Sequence, residues 1–447
     1  MKNLSIYGLM LLSLFVFSCE KEPIDNEDEP MDEVVNELPS IEVSFNANST
    51  LKQQNGDEYT VEVPREADLS IQYKIKTPAG YKTATFGGDP LSDVGQFSLN
   101  SSKTGGTFDV TLIYLSGGLP PFRLEVEDMK GNKVEAKVLI TLPLGFDASS
   151  VLQAEWEEVT FDPFSENQFG QQLFATLDGS LLTHFDNVIY RSTDQGESWE
   201  PISVPSFNGW FSKFTQHPDG KLYVGAYEPG NLYTSNDDGV SWTKVQTDLP
   251  VFSGISQMVI SSENEFYIAG WLNAQNSTVD GVYKSANGLK WQKVLNVGGI
   301  EGISLGSSSE VFVHTAYPAS LHHSLGGESW NKLTIPSAEF VVDAARISDG
   351  ILITTDQNVY ISKDEGSSWE VFNDGLPQSE FLKNLTVMES GEIYATPGNY
   401  GVFKLTEDQN WRSVGTALGT YQIWSLTSLQ GQLFASGINN EKIYKLK

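Results

Sequence analysis

Asp194, Asp237 and Asp364 occupy one recurring frame, Ser-x-Asp-x-Gly-x-x-Trp. It reads as Ser192, Asp194, Gly196, Trp199, then Ser235, Asp237, Gly239, Trp242, then Ser362, Asp364, Gly366, Trp369. A carboxylate repeated in this way could serve as a general acid or base, or as an oxygen ligand to a cation. Its neighbours argue for another use. An Asp side chain accepts hydrogen bonds from backbone N–H groups a few residues on, Gly supplies a positive φ without a Cβ penalty, and Ser adds a weaker local bond. The Trp then opens a strand as a large apolar plug between neighbouring sheets. The frame is that of a hairpin turn, and its aspartates are expected to hold backbone geometry. Shortened copies end at Trp291 and Trp330, and a worn one at Trp411 keeps only Glu407 and Asp408.

Outside the turns, carboxylates are abundant and other reactive groups are scarce. Asp162, Glu166, Asp186, Glu228, Asp280, Glu301, Glu339, Asp343, Asp356 and Glu380 fall on or near the loops of one face, raw material for the paired carboxylates of glycoside hydrolysis. A chain with 58 acidic residues against 28 basic ones supplies such neighbours by chance. The five histidines are scattered, no His/Asp/Glu cluster has zinc spacing, and no Ser-His-Asp set or phosphate loop stands out. No catalytic residue, metal site or cofactor is assigned. The net charge of −30 argues against a nucleic-acid partner and against an electrostatic grip on anionic lipid heads.

The one cysteine has an informative place. Lys2 gives a positive start, Leu4 to Phe17 form an apolar run too short to span a membrane comfortably, and Ser18-Cys19 follow. Val16-Phe17-Ser18-Cys19 resembles a loose bacterial lipobox, which implies a signal peptide over residues 1–18 and a lipidated Cys19 as the first residue of the mature chain. Residues 19–39 are dense in Glu and Asp and cannot bury enough apolar surface to order themselves; they read as a solvated tether. Acidic residues after such a cysteine resemble the export signal of Bacteroidetes-type lipoproteins. The location this implies is the outer membrane, surface-exposed, with membrane contact through the lipid alone.

The elements that position these residues are strands throughout. Thr60 to Val63, Leu69 to Ile75 and Phe108 to Tyr114 alternate apolar and polar residues, and a hairpin from Phe122 to Thr141 turns at Asp128 to Asn132. Residues 40–145 are thus expected to form a β-sandwich resembling bacterial Ig-like domains, a spacer or a partner-binding edge. Beyond Val151 short strands recur at the interval of propeller blades, with hairpin turns at Asp178-Gly179, Asp219-Gly220, Asp349-Gly350, Ser390-Gly391 and Gln430-Gly431. Fourth strands are marked by Trp199, Trp242, Trp291, Trp330, Trp369 and Trp411; a seventh comes early, at Trp156 to Val159. Second and third strands lacking a fourth end the chain, at Leu433 to Ser436 and Ile443 to Leu446. The fold expected is all-β: an N-terminal Ig-like β-sandwich, then a seven-bladed β-propeller over 151–447, closed by pairing the strand at Trp156 with that at Ile443.

The Ser-x-Asp-x-Gly-x-x-Trp frame resembles the Asp-box, or BNR, repeat. The family places this box between the third and fourth strands of a propeller blade, at the periphery of the face opposite the usual ligand site. The resemblance covers about two thirds of the chain and implies fold, not activity, since sialidases, sortilin-like domains, photosystem assembly factors and xyloglucanases all carry such propellers. Sialidase chemistry needs an arginine cluster for the substrate carboxylate. Only Arg191, Arg346 and Arg412 follow residue 150, Arg191 and Arg412 flank boxes or their remnant, and no Arg-Ile-Pro segment is present. On the opposite face aromatic residues recur in the loops, and Trp210, Tyr227, Trp271, Tyr317, Tyr400 and Trp424 are the candidate ligand contacts. Trp210, Trp271 and Tyr400, flanked by Gly or Asn, are expected to be exposed platforms. The function expected is that of a cell-surface lipoprotein whose propeller binds a glycan or protein through this face without catalysis. The rival is a glycoside hydrolase of neutral polysaccharide.

Overall fold

The computed structural model describes residues 37–64, 67–113, 121–143, 151–159, 172–185, 187–205, 207, 209–271, 278–306, 309–316, 318–336, 341–356, 358–377, 382–388, 390–419, 421–437 and 442–447. The signal segment, Cys19 and most of the acidic tether lie outside the described residues, as does Tyr317.

The N-terminal strands form two sheets. Ser40–Phe45, Leu69–Lys76, Gly105–Leu112 and Gln96–Leu99 make one, in that spatial order. The other is six-stranded and centres on Glu58–Glu62, Lys133–Thr141 and Phe122–Asp128. The alternation read from the sequence is what buries Ile71, Tyr73, Val110, Leu124, Val126 and Val138 in one shared core. The hairpin closes where expected, with the Asp128 carboxylate accepting the N–H groups of Lys130 and Asn132, each at 2.9 Å.

From Trp156 onward the described strands form five four-stranded sheets and one eight-stranded sheet. In each four-stranded sheet that lies within one stretch of chain, strands pair in sequence order, as in Val341–Ile347, Gly350–Thr355, Val359–Ser362 and Glu370–Val371. The last sheet borrows across the chain: Trp156–Val159 pairs antiparallel with Ile443–Leu446, with Trp156 opposite Leu446 and Val159 opposite Ile443. The eight-stranded sheet holds two such four-stranded runs, joined where Leu222–Gly230 extends past its hairpin and pairs with Phe252–Ile260.

Core clusters lie between consecutive sheets, and the sequence frame explains how they are sealed. Trp242 packs with Leu182 and Ile189 of the sheet before it, Trp411 with Leu352 and Ile361, and Trp199 reaches back to Val159, Phe434 and Ile443 of the last sheet. Gly239 and Gly366 have φ of 85° and 81°, which favours glycine, and a second constraint acts there. A Cβ on Gly239 would lie 2.9 Å from Leu182 Cδ2, and one on Gly366 would lie 2.7 Å from Leu333 Cδ1. The turn glycine therefore also lets the preceding sheet approach.

Side chains on the innermost strands stitch the same boundaries. Gln172 Oε1 accepts the Phe214 N–H, Gln257 Oε1 that of Ile303, and Asp343 Oδ2 that of Leu385. Ser304 donates to Ala344 O and Asn384 to Trp424 O. The last sheet meets the first through Ser425 Oγ and Thr427 Oγ1, which accept the N–H groups of Leu173 and Ala175. The buried His184 and His314 rings each bond a carbonyl of the next sheet, Ser212 O at 2.8 Å and Val341 O at 3.0 Å.

Candidate ligand-binding site

The recurring aspartates are turn residues. Asp364 follows strand Val359–Ser362 and precedes Glu370–Val371. Its Oδ1 accepts Ser362 Oγ at 2.9 Å and the Ser368 N–H at 2.8 Å, its Oδ2 accepts Ser368 Oγ at 2.6 Å, and Ser362 Oγ accepts the Gly366 N–H. Asp194 and Asp237 repeat the same bonds. The Ser368 hydroxyl and N–H, then Ser362, hold the Asp364 carboxyl below the ordinary range. These carboxylates are occupied by their own turns.

The arginines are held close to those turns. Arg191 pairs with Asp238, and Arg412 with Asp408, at 2.7 and 2.6 Å. Arg346 forks onto Glu310, which is buried, and onto Glu365. The three do not converge, so no arginine cluster for a substrate carboxylate forms.

At the opposite strand ends, three of the predicted aromatic residues are brought into one row by register. Trp210 pairs with Tyr227, Tyr227 with Gly254, and Gly254 with Trp271. Directly paired residues of adjacent strands point to the same face, so these side chains share one surface of the eight-stranded sheet. Gly254 is the bare floor: a Cβ there would lie 2.5 Å from Tyr227 Cδ1 and 2.7 Å from Trp271 Nε1. Across it the Tyr227 and Trp271 rings stand with centroids 6.2 Å apart at 43°. Trp210 is 53% exposed, while Tyr227 and Trp271 are half-buried. Burial, and then the charge of Glu301, pushes the Tyr227 phenol up to about 12, so it stays a neutral hydroxyl.

Beside Trp271 a cavity of about 290 Å³ opens, lined by Ser256, Asp280, Val297, Ile300 and Glu301 among others. Glu301 reaches it through a bulge. Six innermost strands shift register at the same place, between Phe211 and Phe214, Ile255 and Gln257, Ile300 and Gly302, Val341 and Asp343, Leu382 and Leu385, and Ile423 and Ser425. A bulge re-aims the extra residue. Here the residues so placed include Lys213, Ser256, Glu301, Val342, Asn384 and Trp424.

Trp424 is 38% exposed at its bulge, in the last sheet and outside the row. Tyr400 departs from expectation. It is 9% exposed and packs with Ala395, Phe403 and Trp411 in a core cluster, so it is no platform. Tyr400 is flanked by Asn399 and Gly401, but positive φ at Gly398 and Gly401, of 42° and 79°, folds the loop back so that the Tyr400 N–H donates to Pro397 O at 3.0 Å. Of the loop carboxylates, Asp343 accepts the Ala344 and Leu385 N–H groups, Asp356 is buried, and only Asp280 and Glu301 meet at a described cavity. Asp162, Glu166, Asp186, Glu339 and Glu380 lie outside the described residues.

Sequence reading missed Gly254, Ser256 and Lys213. Its signal was available, since a flat strand buries every second residue. Phe211/Phe214, Ile255/Met258, Ile300/Ile303, Val341/Ala344 and Ile423/Leu426 are instead three apart, which is the spacing a bulge imposes.

No family model matches the sequence, and no curated protein matches it. Solved structures do. A catalytically inactive virginiamycin B lyase from Staphylococcus aureus, with quinupristin, superposes with a TM-score of 0.55 at 11% identity, over 66% of this chain and 99% of its own. YCF48 bound to D1 peptide gives 0.55 at 13%, over 68% and 98%, and YCF48 from Cyanidioschyzon merolae 0.52 at 13%, over 65% and 98%. The fold is a β-propeller. Identities this low carry the likeness no further than architecture.

Proposed function

We propose that this propeller is a binding module, and that its ligand, a polypeptide or glycan, lies along the Trp210–Tyr227–Trp271 row. The observation that carries this reading is the lateral register of the row over a bare glycine, a broad aromatic surface of the kind that supplies central contacts in recognition sites. A peptide is also what one propeller of this fold, YCF48, holds. Catalysis is not part of the proposal. Asp280 and Glu301, which line one cavity, are the feature among the described residues that favours the rival hydrolase. Arrayed neutral glycans and peptides, offered to the chain from residue 20 onward, test it: capture weakened in both Trp210→Ala and Trp271→Ala is expected. Steady release of reducing ends, abolished by Glu301→Gln, would hand the case to the hydrolase.

The finer architecture belongs to the same proposal. Seven blades, the recurring turns as Asp-boxes, and an Ig-like N-terminal sandwich over 40–145 agree with the four-stranded runs, the turn bonds and the two-sheet core. The chain is proposed to be a surface lipoprotein anchored at Cys19. Cys19→Ala should release it from membranes or block processing, and a processed variant that still fractionates with membranes would end that reading.

A further inference from the structure

The shortened turn frame ending at Trp291 holds a chemistry that the full frames lack. In a full frame one residue separates the aspartate from the turn glycine, as Glu365 separates Asp364 from Gly366. Here that residue is missing and an asparagine stands at the acidic position, so Asn287 is followed directly by Gly288. Asparagine before glycine is prone to cyclise, because no Cβ shields the glycine nitrogen from the side-chain carbonyl carbon. We propose that Asn287 is a site of spontaneous covalent modification, deamidated at a rate that its own turn raises. One product supplies the carboxylate that this frame lacks.

Asn287 Oδ1 accepts the N–H groups of Leu289 and Lys290, at 2.9 and 3.0 Å, and the Ser285 hydroxyl at 3.2 Å. Three donors on one carbonyl oxygen are the arrangement that stabilises an oxyanion, here the one formed when Cγ is attacked. The Gly288 N–H donates to Ser285 Oγ at 2.9 Å, so the nucleophile's proton already faces a buried oxygen. The leaving group is unheld. Asn287 Nδ2 has no hydrogen bond among the described residues, and Lys290 stands where the full frames carry the serine that bonds the second carboxylate oxygen. In the step the Gly288 nitrogen bonds to Cγ and gives up its proton, the Cγ–Nδ2 bond breaks, and ammonia leaves with that proton. Water, which reaches the exposed Asn287, then opens the five-membered ring. Breaking the new bond leaves an aspartate at position 287, and breaking the original peptide bond leaves an isoaspartate. The chain contains its own control. Asn55-Gly56 lies at an open hairpin tip, where a Cβ on Gly56 would meet nothing within 4 Å and no donor reaches Asn55 Oδ1 among the described residues.

The test compares the two Asn-Gly pairs in the folded chain and in the same chain unfolded in guanidinium chloride, aged in one mildly alkaline buffer. Trypsin cuts after Lys284 and Lys290, so the mass gain of an amide turned to a carboxylate is read in the peptide Ser285–Lys290. Asn287 should convert on the order of tenfold faster in the folded chain than in the unfolded one, while Asn55 should gain nothing from folding. Ser285→Ala should remove most of the folded-state excess at Asn287 and leave Asn55 alone, with an unfolding midpoint confirming that the variant folds. Should that variant not fold, the ratio measured on the unaltered chain still decides. Conversion at Asn287 that is equal in the two states, or slower in the folded one, would make the turn a shield and overturn the inference. An equal excess at Asn55, or an excess that Ser285→Ala leaves undiminished, would overturn it as well.

Discussion

The two ends of the propeller treat polarity in opposite ways. At the turn end, Asp194, Asp237 and Asp364 spend their oxygens on their own turns, and Arg191, Arg346 and Arg412 are each paired at 2.6 to 2.7 Å. At the other end, a bulge in each of six innermost strands re-aims a residue, and Trp210, Glu301 and Trp424 are left exposed. Groups consumed internally stabilise the fold, and some bulge residues are consumed too, as Asn384 is by Trp424 O; exposed side chains such as Trp210 and Glu301 mark the end where a ligand could be met. Repetition alone therefore does not mark function, because the most repeated residues here are the ones most fully used by the backbone.

The comparison breaks first if the last sheet does not depend on its borrowed strand. Deleting residues 439–447 removes Ile443–Leu446, the partner of both Trp156–Val159 and Gln432–Gly437. Two unpaired edges would be exposed, and loss of cooperative thermal unfolding with aggregation is expected. A truncated chain that melts at the full-length midpoint would remove the argument. Next in size is Trp242→Ala, which empties a site 2% exposed between two sheets and should cost about 3–5 kcal/mol in urea unfolding.

Acid should weaken the boundaries between sheets before it weakens the turns. Burial holds the His184 ring at about 4, against its bond to Ser212 O, and burial also lowers His314. Unfolded histidine titrates near 6.5, so the unfolded chain takes up protons that the folded chain refuses. Stability is full above about pH 6.5 and falls as pH drops toward 4, by about 3 kcal/mol for His184. The turn aspartates, with carboxyls held low, lose their contribution only below the ordinary carboxylate range. His184→Gln retains an N–H donor and should flatten the slope of urea midpoint against pH between 6.5 and 4; an unchanged slope would contradict this.

Binding tests the other end. Trp210→Ala should weaken ligand capture by about 1–3 kcal/mol, the range for a central aromatic contact. Tyr400→Ala should leave affinity alone and lower the melting temperature, since its ring is in the core. Equal losses of affinity from both would dissolve the distinction between row and core.

Much of this architecture could be read from the chain before its structure was known. The turn frame, the alternating strands and the unpaired pieces at Trp156 and Ile443 are local patterns with one cheap solution each, and the pairing of Trp156–Val159 with Ile443–Leu446 follows them. The site was legible in kind but not in grouping. Trp210, Tyr227 and Trp271 lie far apart in sequence and meet only through the register of three strand pairs. Tyr400 differs from its expected exposure because the turn with positive φ at Gly398 and Gly401 carries its ring into the core, which flanking Asn and Gly do not reveal.

The smallest effect is expected at the most repeated residue. Asp237→Ala removes the acceptor of the Ser241 N–H at 2.9 Å and of the Ser235 and Ser241 hydroxyls. Water can replace part of this, because Asp237 is exposed, and the loss should be about 1 kcal/mol. Gly239, with the Trp242 indole donating to its carbonyl at 3.0 Å, keeps the turn from opening further. Affinity of the folded protein for whatever Trp210 captures should be unchanged, measured by the same capture assay at a temperature where the variant is fully folded. A variant that keeps its melting temperature but loses the ligand would place binding at the turn end and reverse the assignment of the two faces.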